Sequence, residues 1–130
     1  MPICADTDFL IDLKDQEERA IKKLEQLQSR GEFVTTTVIS VAEFYFGAFR
    51  AKDNATALAE ADRLFEPFDI LQLDYISAKL CGQLREKLKS NIIESLDLFI
   101  ASIALANKQT LLTRNIKHFG RVPDLKIESW

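Results

Sequence analysis

The chain has 130 residues, the size of one ordinary domain, which buries roughly two thirds of the surface its unfolded form exposes. With 47% hydrophobic and 28% charged residues, four Gly and three Pro, it is neither disordered, fibrous nor collagen-like. Seventeen Lys and Arg against twenty Asp and Glu give a formal charge of −3, which argues against a protein that holds nucleic acid by a strongly basic surface alone.

No apolar run reaches the roughly 18 residues of a membrane span, and Met1 to Leu13 carries acids where a secretory signal has a basic start. A cytoplasmic protein with no membrane association is expected. Cys4 and Cys81 lie far apart, form no CxxC pair and are expected as reduced core thiols. The single histidine, His118, excludes multi-histidine zinc sites and weakens any Ser-His or Cys-His catalysis. If the chain is an enzyme, carboxylates must carry its chemistry.

No repeat, low-complexity tract or linker-like stretch divides residues 1–130, so one domain is expected. Pro2 to Asp6 reads as a short apolar strand, after which Thr7 or Asp8 caps a helix through Leu10, Ile11 and Leu13. A helix from about Gln16 to Arg30 places Ile21, Leu24 and Leu27 on one face, and Gly31 closes it. Phe33 to Thr36 reads as a strand, and Thr37 or Ser40 starts a helix whose inward stripe is Val41, Phe44, Tyr45 and Ala48. A helix over Asn54 to Phe65 stops before Pro67, and Ile70 to Leu73 forms a third strand. Asp74 to Ser90 carries Ile76, Leu80, Leu84 and Leu88 as an amphipathic stripe, and Ser95 caps an almost wholly apolar helix, Leu96 to Asn107. Thr110 to Thr113 is a fourth strand, a short helix lies near Lys117, and Lys126 to Glu128 is a candidate fifth strand. This alternation predicts an α/β fold with a mainly parallel sheet of four or five strands and helices on both faces. Ligands in such sheets sit beyond the carboxyl ends of the strands.

Three acids stand in apolar surroundings. Asp6 ends the first strand, Glu43 lies within Val41-Ala42-Glu43-Phe44-Tyr45-Phe46, and Asp97 opens the most apolar helix. A lone buried carboxylate costs several kcal/mol unless it is paired or bound to a cation. Individually, Asp6 can cap a helix, Glu43 can pair with a buried Lys or Arg, and Asp97 can be a first-turn acid favoured by the helix dipole. Jointly, all three face one edge of the sheet, where they would repel unless a divalent ion holds them ionised. With only oxygen ligands on offer, the cluster suits Mg²⁺ or Mn²⁺ rather than Zn²⁺. Phosphodiester hydrolysis is the chemistry such an ion favours.

The segments Asp6-Thr7-Asp8-Phe9-Leu10-Ile11, Val41-Ala42-Glu43 with Gly47-Ala48, Asp97-Leu98-Phe99-Ile100-Ala101 and Leu112-Thr113-Arg114-Asn115-Ile116-Lys117-His118-Phe119 together resemble the PIN-domain nucleases, and most of all the VapC toxins of toxin–antitoxin pairs. The resemblance runs from Ile3 to Glu128 and implies a single PIN-like domain with metal-dependent endoribonuclease activity, in which Asp6, Glu43 and Asp97 match the family's acidic positions. It further implies Mg²⁺ or Mn²⁺ as cofactor, RNA as substrate and cleavage to 5′-phosphate and 3′-hydroxyl ends. The chain departs from the family where a fourth acid is common: Asn115 stands there, and His118 follows where some relatives have Asp. Thr7 and Thr113 are expected to orient carboxylates or water, with Asp8 and Glu94 as auxiliary acids.

Lys108 to Arg121 contains Lys108, Arg114, Lys117 and Arg121 and no acid, whereas Asp6 to Glu18 carries six acids and one Lys. A basic edge beside an acidic metal pocket suits a phosphodiesterase, so Arg114, Lys117 and Arg121 are candidate RNA contacts, with Arg85, Lys87 and Lys89 as a second group. The resemblance also implies a small VapB-like antitoxin and a homodimer, for either of which the aromatic helix with Phe44, Tyr45, Phe46 and Phe49 offers a surface. Two other readings stay open. Asp6-Thr7-Asp8 mimics the nucleophile motif of haloacid-dehalogenase-type phosphatases, although Leu10 stands where that motif has Thr or Val. A PIN-like binding module with an idle metal site is the non-enzymatic alternative.

Overall fold

Five short strands organise the protein, and the computed structural model describes residues 2–89 and 95–130. In chain order the elements are β1 (Ile3–Ala5), α1 (Thr7–Lys14), α2 (Glu18–Ser29), β2 (Val34–Thr37), α3 (Val38–Arg50), α4 (Asn54–Phe65), β3 (Asp69–Leu71), α5 (Tyr75–Lys87), α6 (Ser95–Ala106), β4 (Thr110–Leu112), α7 (Ile116–Phe119) and β5 (Ile127–Glu128). The strands form one sheet in the order β3-β2-β1-β4-β5, and every pairing is parallel. Ile3 sits between Val34 and Thr110, which fixes the register at the centre.

Successive strand residues face opposite ways, and the cores divide accordingly. Cys4 and Leu111 join a core with Leu84, Leu98, Ala101 and Phe119, whereas Ile3, Ala5 and Leu112 join another with Phe9, Leu10, Leu27 and Phe65. Both faces of the sheet are therefore covered, the α/β architecture the alternation of elements predicts. Helix α6 buries Leu98, Ile100 and Ile103 almost completely, and each such side chain contributes roughly 1.5–3 kcal/mol of apolar burial. The thiols of Cys4 and Cys81 are buried and unbridged. Burial pushes the Cys4 thiol up to about 12, against a lowering hydrogen bond from Thr35 and with a further rise from Asp6, so it is inert at neutral pH. Among the described residues no helix is long and apolar enough to cross a membrane.

Some local expectations hold and others are corrected. Asp6, rather than Thr7 or Asp8, caps α1, its side chain accepting from the Phe9 amide. Thr37 caps α3 and leaves Ser40 inside the first turn. Helix α2 starts at Glu18 rather than Gln16, because Gln16 takes φ 57° in the turn after α1. Gly31, at φ 73°, ends α2 in the left-handed conformation that glycine adopts without steric cost. The third strand is Asp69–Leu71 rather than Ile70–Leu73. Ile76 is 69% exposed and leaves the stripe that Leu84 and Leu88 bury.

The order of strands has a functional consequence. The chain moves from β1 outward to β2 and β3, then crosses to the other side of β1 to add β4 and β5. The direction reverses between β1 and β4, and a crevice opens beyond the carboxyl ends of strands at such a switch point. Asp6 follows β1 there, and Thr113 follows β4.

Candidate active site

Asp6 is 4% exposed at this switch point. Its Oδ1 accepts from the Phe9 amide at 3.0 Å, so it is a helix cap and a cavity-facing acid at once. The buried Thr113 hydroxyl accepts from the Asn115 amide at 3.0 Å, and its polarity favours the ionised form of Asp6. Burial pushes the Asp6 carboxyl up to about 7, opposed by the bonds from Thr113 and Phe9 and reinforced by the charges of Asp8 and Asp97. Among the described residues no Lys or Arg forms an ion pair with Asp6.

Glu43 projects from α3, where its Oε1 accepts from the Thr7 hydroxyl at 2.7 Å. Thr7 Oγ1 also lies 2.8 Å from the hydroxyl of the fully buried Ser40. Among the described residues no Lys or Arg comes within ion-pair distance of Asp6 or Glu43, so neither is explained as half of an internal salt bridge. Asp97 stands in the first turn of α6, with its Oδ2 3.7 Å from His118 Nε2. That nitrogen is buried and, among the described residues, accepts or donates no hydrogen bond.

Asp6, Asp8, Glu43 and Asp97 line one cavity of about 250 Å³, together with Thr7 and Asn115, and Ile11 and Phe119 provide its apolar walls. Elements distant in sequence therefore bring the three acids singled out by their apolar contexts to one place. Among the described residues no three acidic, His or Cys side chains close into a ready-made cage; the carboxylates surround open space instead. The donor set is all oxygen and suits a hard divalent ion, which keeps several of its waters and needs few direct protein ligands. Glu94 lies outside the described residues.

The basic segment is placed less simply. Arg114, Lys117 and Arg121 are exposed beyond β4, but Arg114 Nη1 is 2.9 Å from Asp12 Oδ2 and its guanidinium lies over the Trp130 ring. Asp12 is buried and also accepts from the Trp130 indole at 3.0 Å. Two features here carry little local signal: Asp12, whose partners are more than a hundred residues away, and Ser40, which reads as a helix cap. The clue to Ser40 is its spacing of three from Glu43, which puts both on one helix face.

With this geometry the comparisons with known proteins agree. The PIN domain family signature matches residues 3–125, and the chain belongs to that family. Within it, the chain is 32% identical over 107 residues to Ribonuclease VapC2 of Rickettsia felis, covering 81% of this chain and 80% of that one. It is 28% identical over 94 residues to the tRNA(fMet)-specific endonuclease VapC of Salmonella typhimurium, covering 71% of each. In the crystal structure of VapBC2 from Rickettsia felis bound to a DNA fragment from their promoter, one chain superposes with a TM-score of 0.92 at 28% identity, covering 100% of this chain and 99% of its own length. These similarities place the protein among the VapC ribonucleases.

Proposed function

We propose that this protein is a divalent-metal-dependent endoribonuclease and the toxin of a VapBC-type pair, its residues 1–130 acting as one nuclease domain. The observation that carries this reading is the convergence of Asp6, Glu43 and Asp97 on one cavity at the switch point, with Asp6 buried and, among the described residues, without an ion-pair partner. Membership of the VapC ribonucleases supports it.

Asp6, Glu43 and Asp97 would hold Mg²⁺ or Mn²⁺, directly or through water. When bound, such an ion supplies a water of lowered pKa and offsets charge on phosphoryl oxygens. Thr7 holds Glu43 by donating its hydroxyl proton, and Thr113 favours the ionised form of Asp6. Asn115 offers the cavity a neutral side-chain carbonyl, and Asp8 and Glu94 are auxiliary acids. Water adds to the scissile phosphorus and the 3′ oxygen leaves with a proton, giving 5′-phosphate and 3′-hydroxyl ends. Lys117 and Arg121 bind the RNA backbone outside the cavity, and Arg114 shares its charge between RNA and Asp12.

The partner is a small antitoxin, a reading supported by the match of the fold to a chain of a VapBC complex. Phe46 and Phe49 are about two thirds exposed on α3 and supply an apolar surface for that partner or for a second copy in a homodimer. Reduced Cys4 and Cys81 fit a cytoplasmic site of action.

Incubation of the purified protein with total RNA in Mg²⁺ or EDTA tests the reading. Discrete cuts bearing 5′-phosphates, lost in EDTA and in Asp97→Asn, are expected; intact RNA under Mg²⁺ would leave a PIN-like binding module instead.

A further inference from the structure

A two-hydroxyl chain links the elements that carry Asp6 and Glu43. Thr7 follows Asp6 directly and opens α1, whereas Ser40 and Glu43 lie one turn apart on α3. Thr7 Oγ1 is 2.7 Å from Glu43 Oε1 and 2.8 Å from Ser40 Oγ. An ionised carboxylate only accepts, and a threonine hydroxyl has one proton to give. The Thr7 proton therefore goes to Glu43, and the contact with Ser40 is made by the Ser40 proton pointing at Thr7. The chain has one direction: Ser40 donates to Thr7, and Thr7 donates to Glu43.

Ser40 is itself fixed. It is fully buried, and its backbone amide donates at 3.2 Å to Thr37 Oγ1, the residue that ends β2 and caps α3. The sheet thus sets Ser40, Ser40 orients the Thr7 hydroxyl, and Thr7 sets where the Glu43 carboxylate stands relative to Asp6 next to it. Hydrogen bonds in series polarise one another, so loss of the first weakens the second.

We infer that Ser40 is a positioning residue for the carboxylate cavity, acting through the Thr7 hydroxyl to hold Glu43 at the spacing from Asp6 that binding of a divalent cation requires. This inference rests on the metal-dependent reading above. Ser40 does not line the cavity itself. Its chemistry is that of an outer-layer hydroxyl, and its loss is felt at the cavity only while Thr7 keeps a hydroxyl to be oriented.

That dependence on Thr7 supplies the test. Mn²⁺ dissociation constants are measured by electron paramagnetic resonance of the free ion, on the full-length chain without RNA, for wild type, Ser40→Ala, Thr7→Val, Thr7→Ser and the doubles Ser40→Ala/Thr7→Val and Ser40→Ala/Thr7→Ser. Thr7→Val is expected to weaken Mn²⁺ about tenfold, the lower end for loss of an outer-layer partner. Ser40→Ala is expected to weaken it about threefold in wild type and in Thr7→Ser, and not at all in Thr7→Val. An equal loss in the Thr7→Val background, or unchanged affinity of Ser40→Ala in wild type, overturns the inference. A structural role alone would lower the unfolding midpoint in EDTA without this coupling. If Ser40→Ala does not fold, Ser40→Cys, with its weak S–H donor, carries the same cycle with a smaller loss expected. RNA cleavage by the same preparations separates the two claims: wild type that binds Mn²⁺ with the coupling but leaves RNA intact sinks the nuclease reading alone, and cleavage without the coupling sinks only the role of Ser40.

Discussion

Replacing Asp6 by Asn removes a buried ionisable group while keeping a side chain that caps α1, since Asn and Asp are comparable at that position. In the folded protein the Asp6 carboxyl titrates at about 7 rather than 3.8, chiefly because of burial. The folded state therefore keeps a proton that the unfolded chain releases at lower pH. Stability associated with this proton is fully present below the unfolded value and is lost as pH rises from about 4 through about 7. At 1.36 kcal/mol for each tenfold change, the full loss is about 4 kcal/mol, of which ~2–3 kcal/mol falls between pH 5 and 8. Other groups titrate in both proteins, so the difference between wild type and Asp6→Asn isolates this contribution. In urea unfolding with EDTA, Asp6→Asn is expected to be the more stable protein at pH 8, with an advantage that shrinks by ~2–3 kcal/mol at pH 5. Saturating Mg²⁺ should raise the wild type at pH 8 and leave Asp6→Asn unchanged, because the cation takes the place of the missing positive charge. A stability difference that stays constant from pH 5 to 8 would refute the assignment of Asp6 as an uncompensated buried acid.

Asp12→Ala removes the acceptor shared by Arg114 and the Trp130 indole, and thermal denaturation should report a loss of ~1–3 kcal/mol with Mn²⁺ affinity unaltered. Replacing Lys117 and Arg121 together by Gln should weaken RNA binding and flatten its dependence on log salt by about 1.4, at roughly 0.7 per single-strand phosphate contact; an unchanged slope measured by filter binding would move the RNA elsewhere. Adding Arg114→Gln to that pair is expected to flatten the slope by less than another 0.7, because Asp12 already holds part of its charge.

The sequence made the candidate site legible through mismatch between residue and context. Asp6, Glu43 and Asp97 stand out as acids among apolar neighbours, and burial of a charge is costly whatever the fold. Alternation of short β-branched segments with longer amphipathic ones was enough for a parallel sheet. What escaped depends on geometry that a local window does not contain. Ile76, Leu80, Leu84 and Leu88 repeat every four residues, and each step overshoots the 3.6-residue turn by roughly 40°. Over three steps the row winds off the buried face, which is why Ile76 is exposed although Leu84 and Leu88 are not. Asp12 sits beside apolar residues just as Asp6 does, yet its partners Arg114 and Trp130 arrive from the far end of the chain. Ser40 reads as a helix cap, but Thr37 takes that place, and only the approach of Thr7 from α1 shows Ser40 as a partner on the Glu43 side.

Crystals soaked in Mn²⁺ and measured at the manganese absorption edge give the most direct view of the cavity. An anomalous peak among the carboxylates of Asp6, Glu43 and Asp97, abolished in Asp97→Asn, is the expected result. A cavity without a peak at saturating Mn²⁺, or an ion bound only at other carboxylates, would contradict the cation-binding role of these three acids.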